Sequence, residues 1–235
     1  MGKRLIILAA AAFMVGAFAI PASAGSVATY EVTITNLAAS QPISPPVVVT
    51  HARDVSFFRV GSSASGGIVA IAENGDPGVA VGELTGAAGV TSVVNVGQPL
   101  TLAGTTFGDF SDSVTVEVNA VRGDVISLAG MLICTNDGFA GINSAALPRR
   151  GSATFYAKAY DAGSEHNTEL SADIVDACSL LGPVELAGDD NGNNNDGIDT
   201  FRRILPHRGI NGVGDLSLDH NWSEPVLAVT VTRTG

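Results

Sequence analysis

The sequence is short of positive charge. Twelve lysines and arginines stand against 23 aspartates and glutamates, a formal charge of −11 at pH 7, and Lys158 is the only lysine after Lys3. A polyanion needs a basic surface, so nucleic acid is not expected as a partner. Electrostatic docking on anionic lipid is disfavoured for the same reason, and cations are the natural counter-ligands. After residue 24 no run is long and apolar enough to span a bilayer. Cysteine is nearly absent, with only Cys134 and Cys178.

Catalytic patterns are missing too. "GSSASG" (61–66) lacks the GxSxG spacing of a nucleophile elbow. No HExxH zinc pattern and no phosphate-cradling glycine loop occurs. The four histidines, His51, His166, His207 and His220, lie far apart in sequence and read as surface or loop residues. The chain is therefore not expected to be an enzyme. A hydrolase working through acidic loop residues is kept as an alternative, although nothing sets two acids across a cleft.

What is present begins with a leader. Lys3 and Arg4 precede an apolar run from Leu5 to Ile20, followed by Pro21 and "ASA" at 22–24. This is the pattern of a signal peptide (1–24) cleaved before Gly25, which places the mature chain outside the cytoplasm, periplasmic or secreted. Losing Lys3 and Arg4 takes the formal charge from −11 to −13. In an oxidising compartment an isolated cysteine pair usually bonds, so a Cys134–Cys178 disulfide is expected; the alternative is two buried thiols.

The remaining residues, 25–235, read as one domain. "ATYEVTIT" (28–35) and "DSVTVEVNA" (112–120) alternate, and 124–133, 152–160 and 225–233 are further β-branched runs. Weaker strand signals lie at 45–51, 55–60 and 98–104. Joined by Gly, Asn, Asp and Pro loops, these argue for an all-β antiparallel sandwich. A helix is expected within 63–76, closed by Asn74-Gly75, and a second short one within 76–87. The segment from Asp189 to Asp199 reads as a long exposed loop. It is no EF-hand, because no register supplies both the central glycine and the twelfth-position glutamate.

Oxygen chemistry is the strongest signal left. Asp161 ends a strand, Gly163 allows a reversal, and Glu165 can return towards Asp161; Asp137 follows another strand. If those strand ends are neighbours, three acids converge, as calcium requires.

Several phrases in order resemble the spondin amino-terminal domain. They are "YEVTITNL", "QPISPPVVVTH", "FRVGSSASGGIVAIAENGDP", "CTNDGFAGINS", "YDAGSE" and "HRGINGVGDLSLDHNWSEPVLAVTVTR", spanning about 30–233. The resemblance implies a C2-like β-sandwich, secretion, and a non-enzymatic role in binding or adhesion. It also implies a calcium site, with Asp137, Asp161 and Glu165 at the matching positions. Two departures stand out: Glu165 replaces an aspartate, and Gly138 replaces an aromatic, which should leave that loop less rigid. The implied partner is a protein or glycan at the cell envelope or outside the cell. A sandwich that docks on membranes through calcium is the other alternative.

Mass spectrometry of the exported protein is expected to show a chain beginning at Gly25. Retention of the apolar run would contradict the leader assignment.

Overall fold

The structure, a computed structural model, describes residues 26–186 and 202–235. The leader and the Asp189–Asp199 loop lie outside the described residues. Among the described residues eleven strands dominate: β1 (Ala28–Asn36), β2 (Val47–His51), β3 (Val90–Asn95), β4 (Thr106–Phe107), β5 (Phe110–Ser111), β6 (Ser113–Ala120), β7 (Val125–Met131), β8 (Gly138–Ala146), β9 (Ser152–Asp161), β10 (Leu205–Pro206) and β11 (Leu227–Arg233). Three short helices join them: α1 (Gly66–Asn74), α2 (Gly78–Leu84) and α3 (Ala177–Leu181). The all-β antiparallel architecture with short helices is as expected. Among the described residues no helix is long and apolar enough to cross a membrane.

The strands run in the order β3-β2-β7-β8-β9-β11-β1-β6, with β10 beside β9 and β4 paired to β5. Strand β9 belongs to both halves of this path. Its first part, Ser152–Ala157, pairs with β11, and its last part, Lys158–Asp161, pairs with β8. One long strand thus turns the sheet back on itself, and Thr50 of β2 donates to the Asn119 carbonyl of β6 at 2.5 Å across the far side. The enclosed core gathers Val32, Ile34, Val48, Leu128, Val229 and Val231. Alternation explains this, since the intervening Thr33, Thr115, Thr154 and Thr230 face outward and pair through their hydroxyls (Thr33–Thr115 2.8 Å, Thr154–Thr230 2.9 Å).

Strands β2 and β7 are buried along their whole length. The reason is a second apolar layer outside them, where Ile68, Ile71 and Ala72 of α1 and Ala80 of α2 cover Val47, Val49 and Ala129. Ser65 caps α1 by accepting from the Ile68 amide at 3.3 Å, and Gly75, at φ 63°, ends it. A Cβ on Gly67 would lie 2.6 Å from the Ala80 Cα, so the small residue lets the helices touch.

Two weak strand signals fail here, and two strands form where none was expected. "VSFFRV" (55–60) is not a strand. The segment takes part in no strand pairing; Phe57 and Phe58 are both buried, and Phe58 packs on Phe139 and Tyr160 with ring centroids 5.1 and 5.2 Å away. Strand β8, "GFAGINSAA", lies where no strand was expected. Its Gly141 is needed, since a Cβ there would meet the Phe58 ring at 2.9 Å. Strand β3 was not expected either. The weak signal at 98–104 comes down to one bridge between Leu100 and Ile43.

Cys134 and Cys178 form the expected disulfide, with Cα atoms 5.0 Å apart. It sits in a satellite core with Ile133, Ile174, Ile210 and Leu216, and so ties the segment after β7 to α3. Closing 44 residues should stabilise the fold by about 4 kcal/mol through loss of chain entropy in the unfolded state. Chemical denaturation of a Cys134→Ser/Cys178→Ser double variant is expected to show that loss; unchanged stability would contradict it.

Candidate functional site

The candidate site lies where β7 and β9 end and β8 and β11 begin. Strand pairing sets Gly138 opposite Asp161, and the Ala162 amide donates to the Asp137 carbonyl at 3.0 Å. Asp137 and Asp161 are thereby held side by side. The turn into β8 is tight: Thr135 Oγ1 accepts from the Gly138 amide at 2.9 Å and donates to the Leu132 carbonyl at 2.6 Å.

After Asp161 the chain reverses at Gly163, whose φ is 69°. Any side chain there would also collide with the Arg203 backbone, so both conformation and space demand glycine. Asp161 braces the reversal, Oδ1 accepting from the Gly163 amide and Oδ2 from Asn167 Nδ2, both at 2.8 Å. The returning segment wraps the other acid. Asp137 Oδ2 accepts from the Ser164 amide at 2.8 Å, the Ser164 hydroxyl at 3.3 Å and the Glu165 amide at 3.1 Å.

Asp137 is fully buried, and its other oxygen, Oδ1, is enclosed without a hydrogen-bond partner among the described residues. Burial, with the Asp161 charge second, pushes its carboxyl from the ordinary 3.8 up to about 7, against the pull of its Ser164 and Glu165 donors. Glu165 is also buried. The structure thus brings Asp137, Asp161 and Glu165 to one end of the sandwich, in backbone contact through Asp137. It does not draw their carboxylates into a tight trio. Among the described residues the one trio of His, Cys, Asp or Glu with ligand atoms all within 4.8 Å of one another is Cys134, Cys178 and His220. That trio holds no thiolate, because its sulfurs are bonded to each other.

The expectation that Gly138 leaves the loop less rigid meets a filled space. A Cβ at Gly138 would lie 2.5 Å from Thr135 Oγ1 and 3.1 Å from His207 Cδ2. His207 occupies the room that a side chain at 138 would need, its ring centroid 5.0 Å from that of Trp222 and its plane tilted 58° to it. Its Nδ1 accepts from the Gly209 amide at 3.0 Å, which leaves the proton of the neutral ring on the enclosed Nε2. Burial lowers its pKa from 6.5, with Asp161 and Glu169 opposing. A cavity of about 300 Å³ opens beside it, lined by Asp161, Asn167, Arg208 and Asn211 among others.

The reading of the four histidines as surface or loop residues is corrected for His51, which is buried within β2, and for the buried His220. His51 and His220 are buried, His51 with Nε2 2.7 Å from Ser127 Oγ, and His207 is largely enclosed; only His166 is exposed. Sequence reasoning also missed Glu169 and Asn136. Glu169, buried at φ 56°, accepts from the Asn211 amide at 2.7 Å and the Val213 amide at 2.8 Å. Asn136 Oδ1 accepts from the Glu169 amide at 3.1 Å. These two residues fasten the metal-loop candidate to the 211–216 loop. "NGVGD" gives a signal for the turn but none for the buried carboxylate it encloses.

No family model matches the chain, and no curated protein matches it.

The raised Asp137 pKa means the folded state holds this proton more tightly than the unfolded chain does. Its contribution to stability is complete below about pH 4 and lost as pH rises through about 7. A shift of that size corresponds to a few kcal/mol, of order. In chelator, wild-type melting temperature is expected to fall between about pH 4 and 7 relative to Asp137→Asn, which cannot titrate. Parallel pH profiles would show that Asp137 is already ionised in the fold.

Proposed function

We propose that this chain is an extracytoplasmic, non-enzymatic binding module of the spondin type, whose end loops are set by a calcium ion. Asp137, Asp161 and Glu165 supply the side-chain ligands, and backbone carbonyls or waters complete the shell. One observation carries the reading: a buried carboxylate oxygen, Asp137 Oδ1, has no hydrogen-bond donor and lies beside a second acid. Hydrogen-bond donors are the ordinary answer for a buried carboxylate, and this side chain receives them on Oδ2 alone. A hard divalent cation is the other answer, and the donors here are all oxygen.

The apolar leader and the disulfide support the compartment. The ordered phrases from Tyr30 to Arg233 support the adhesion role, with a protein or glycan at the cell envelope or beyond as partner. On spacing alone Asp161 would be the dominant ligand, fixed at a strand end. The hydrogen bonds shift the weight to Asp137, since both Asp161 oxygens already accept.

Thermal melts and calorimetry with calcium test this. An affinity of order 10⁻⁴ to 10⁻³ M is expected for a site in loops. At a hundredfold excess over the dissociation constant, stabilisation should reach ~2.7 kcal/mol. Magnesium should compete poorly, because it demands a tighter octahedron. Asp137→Asn should abolish the stabilisation, and Asp161→Asn and Glu165→Gln should reduce it. Equal stabilisation of wild type and all three variants would sink the proposal.

A further inference from the structure

The pole opposite the acidic loops carries the reverse charge. Beyond the leader the chain has nine arginines. Five of them, Arg53, Arg122, Arg149, Arg150 and Arg233, line two cavities at this pole. They come from four separate places: after β2, the β6–β7 turn, the β8–β9 turn and the end of β11. All five are exposed. The first cavity, of about 320 Å³, is lined by Arg53, Arg122, Arg149 and Arg233, with Tyr30 and Asp124 also in its wall. The second, of about 390 Å³, is lined by Arg149, Arg150 and Arg233. Arg149 and Arg233 are common to both, so the guanidinium groups follow a track rather than surround a point.

Folding has gathered like charges here in a chain rich in acids that could have neutralised them. Asp124, the one acidic side chain lining either cavity, offsets only one of these charges. Its Oδ2 accepts from Thr91 Oγ1 at 2.6 Å and from the Val121 amide at 2.9 Å. Arg233 is held by backbone, with Nη1 donating to the Arg149 carbonyl at 3.0 Å. That pre-orders a guanidinium between the two cavities. The residue type matters as well, because arginine's planar fork matches carboxylate and sulfate oxygens in pairs and lysine does not.

We propose that this pole binds an acidic polysaccharide, a chain bearing one carboxylate or sulfate per sugar or nearly so, laid along the two arginine-lined cavities. A polymer fits better than a single small anion because the track extends past one cavity. Nucleic acid fits poorly, since the only aromatic residue in either wall, Tyr30, is buried and offers no face for base stacking. The composition argument against polyanions averaged over the whole chain and so missed a local concentration of arginine. The site is independent of the cation loops.

The test is binding of the mature protein to polygalacturonate and chondroitin sulfate in EDTA. Neutral dextran, a DNA duplex and phosphatidylglycerol vesicles serve as separate arms. Wild type should bind both acidic polymers, and going from 50 to 200 mM salt should weaken binding by about tenfold or more. Arg122→Glu/Arg149→Glu should lose at least about tenfold in affinity, as expected when two charge-assisted contacts are reversed. Arg59→Glu, an exposed arginine outside both cavities, should bind as wild type does. Both variants should keep the wild-type melting curve and its response to calcium. Retained binding in the double variant, equal binding to dextran, or capture by vesicles or DNA alone would overturn the proposal. Loss of calcium response with polymer binding intact would strike the cation reading instead.

Discussion

A buried carboxylate is the constraint around which one end of this protein is organised. Asp137 has no exposure to water, yet it lies beside Asp161. Leaving such a group ionised and unpaired would cost several kcal/mol, of order. The surrounding chain can be read as the response. Gly163 permits the reversal, Ser164 and Glu165 turn their amides onto one oxygen, and Thr135 tightens the approach. The disulfide then holds the segment that carries Asp137 against the α3 region. What the chain leaves unanswered is the second oxygen, and the cation proposed for this site is one answer to it.

The sandwich was legible wherever one face of a strand meets water. Tyr30, Val32 and Ile34 alternate with polar residues because β1 has a solvated outer face, and β6 and β11 repeat the pattern. It was less legible where both faces are covered. Strand β8 hides behind glycines that exist for the Phe58 ring and for Thr135, so its composition reports its neighbours rather than its conformation. The segment around Phe58 misled in the opposite way: its apolar residues serve the layer outside β2 and β7 without forming a strand themselves.

The candidate site shows the same division. Acids flanking a glycine at a strand end are visible in one dimension, and so is the third acid after another strand. Their neighbourhood depends on β8 pairing with β9, which the sequence hid. His207 and Glu169 could not have been found, because each owes its burial to chain segments distant in sequence. Composition also concealed the arrangement of charge. A chain with few basic residues still sets five arginines at one pole and buries carboxylates at the other, so net charge describes neither end.

A crystal structure grown in calcium, with anomalous diffraction to locate the ion, tests the role of the buried carboxylate most directly. The expected result is a peak about 2.4 Å from Asp137 Oδ1, with Asp161 and Glu165 oxygens drawn into the same shell. Calcium bound elsewhere, or a water or hydrogen-bond donor filling the place beside Oδ1, would contradict it.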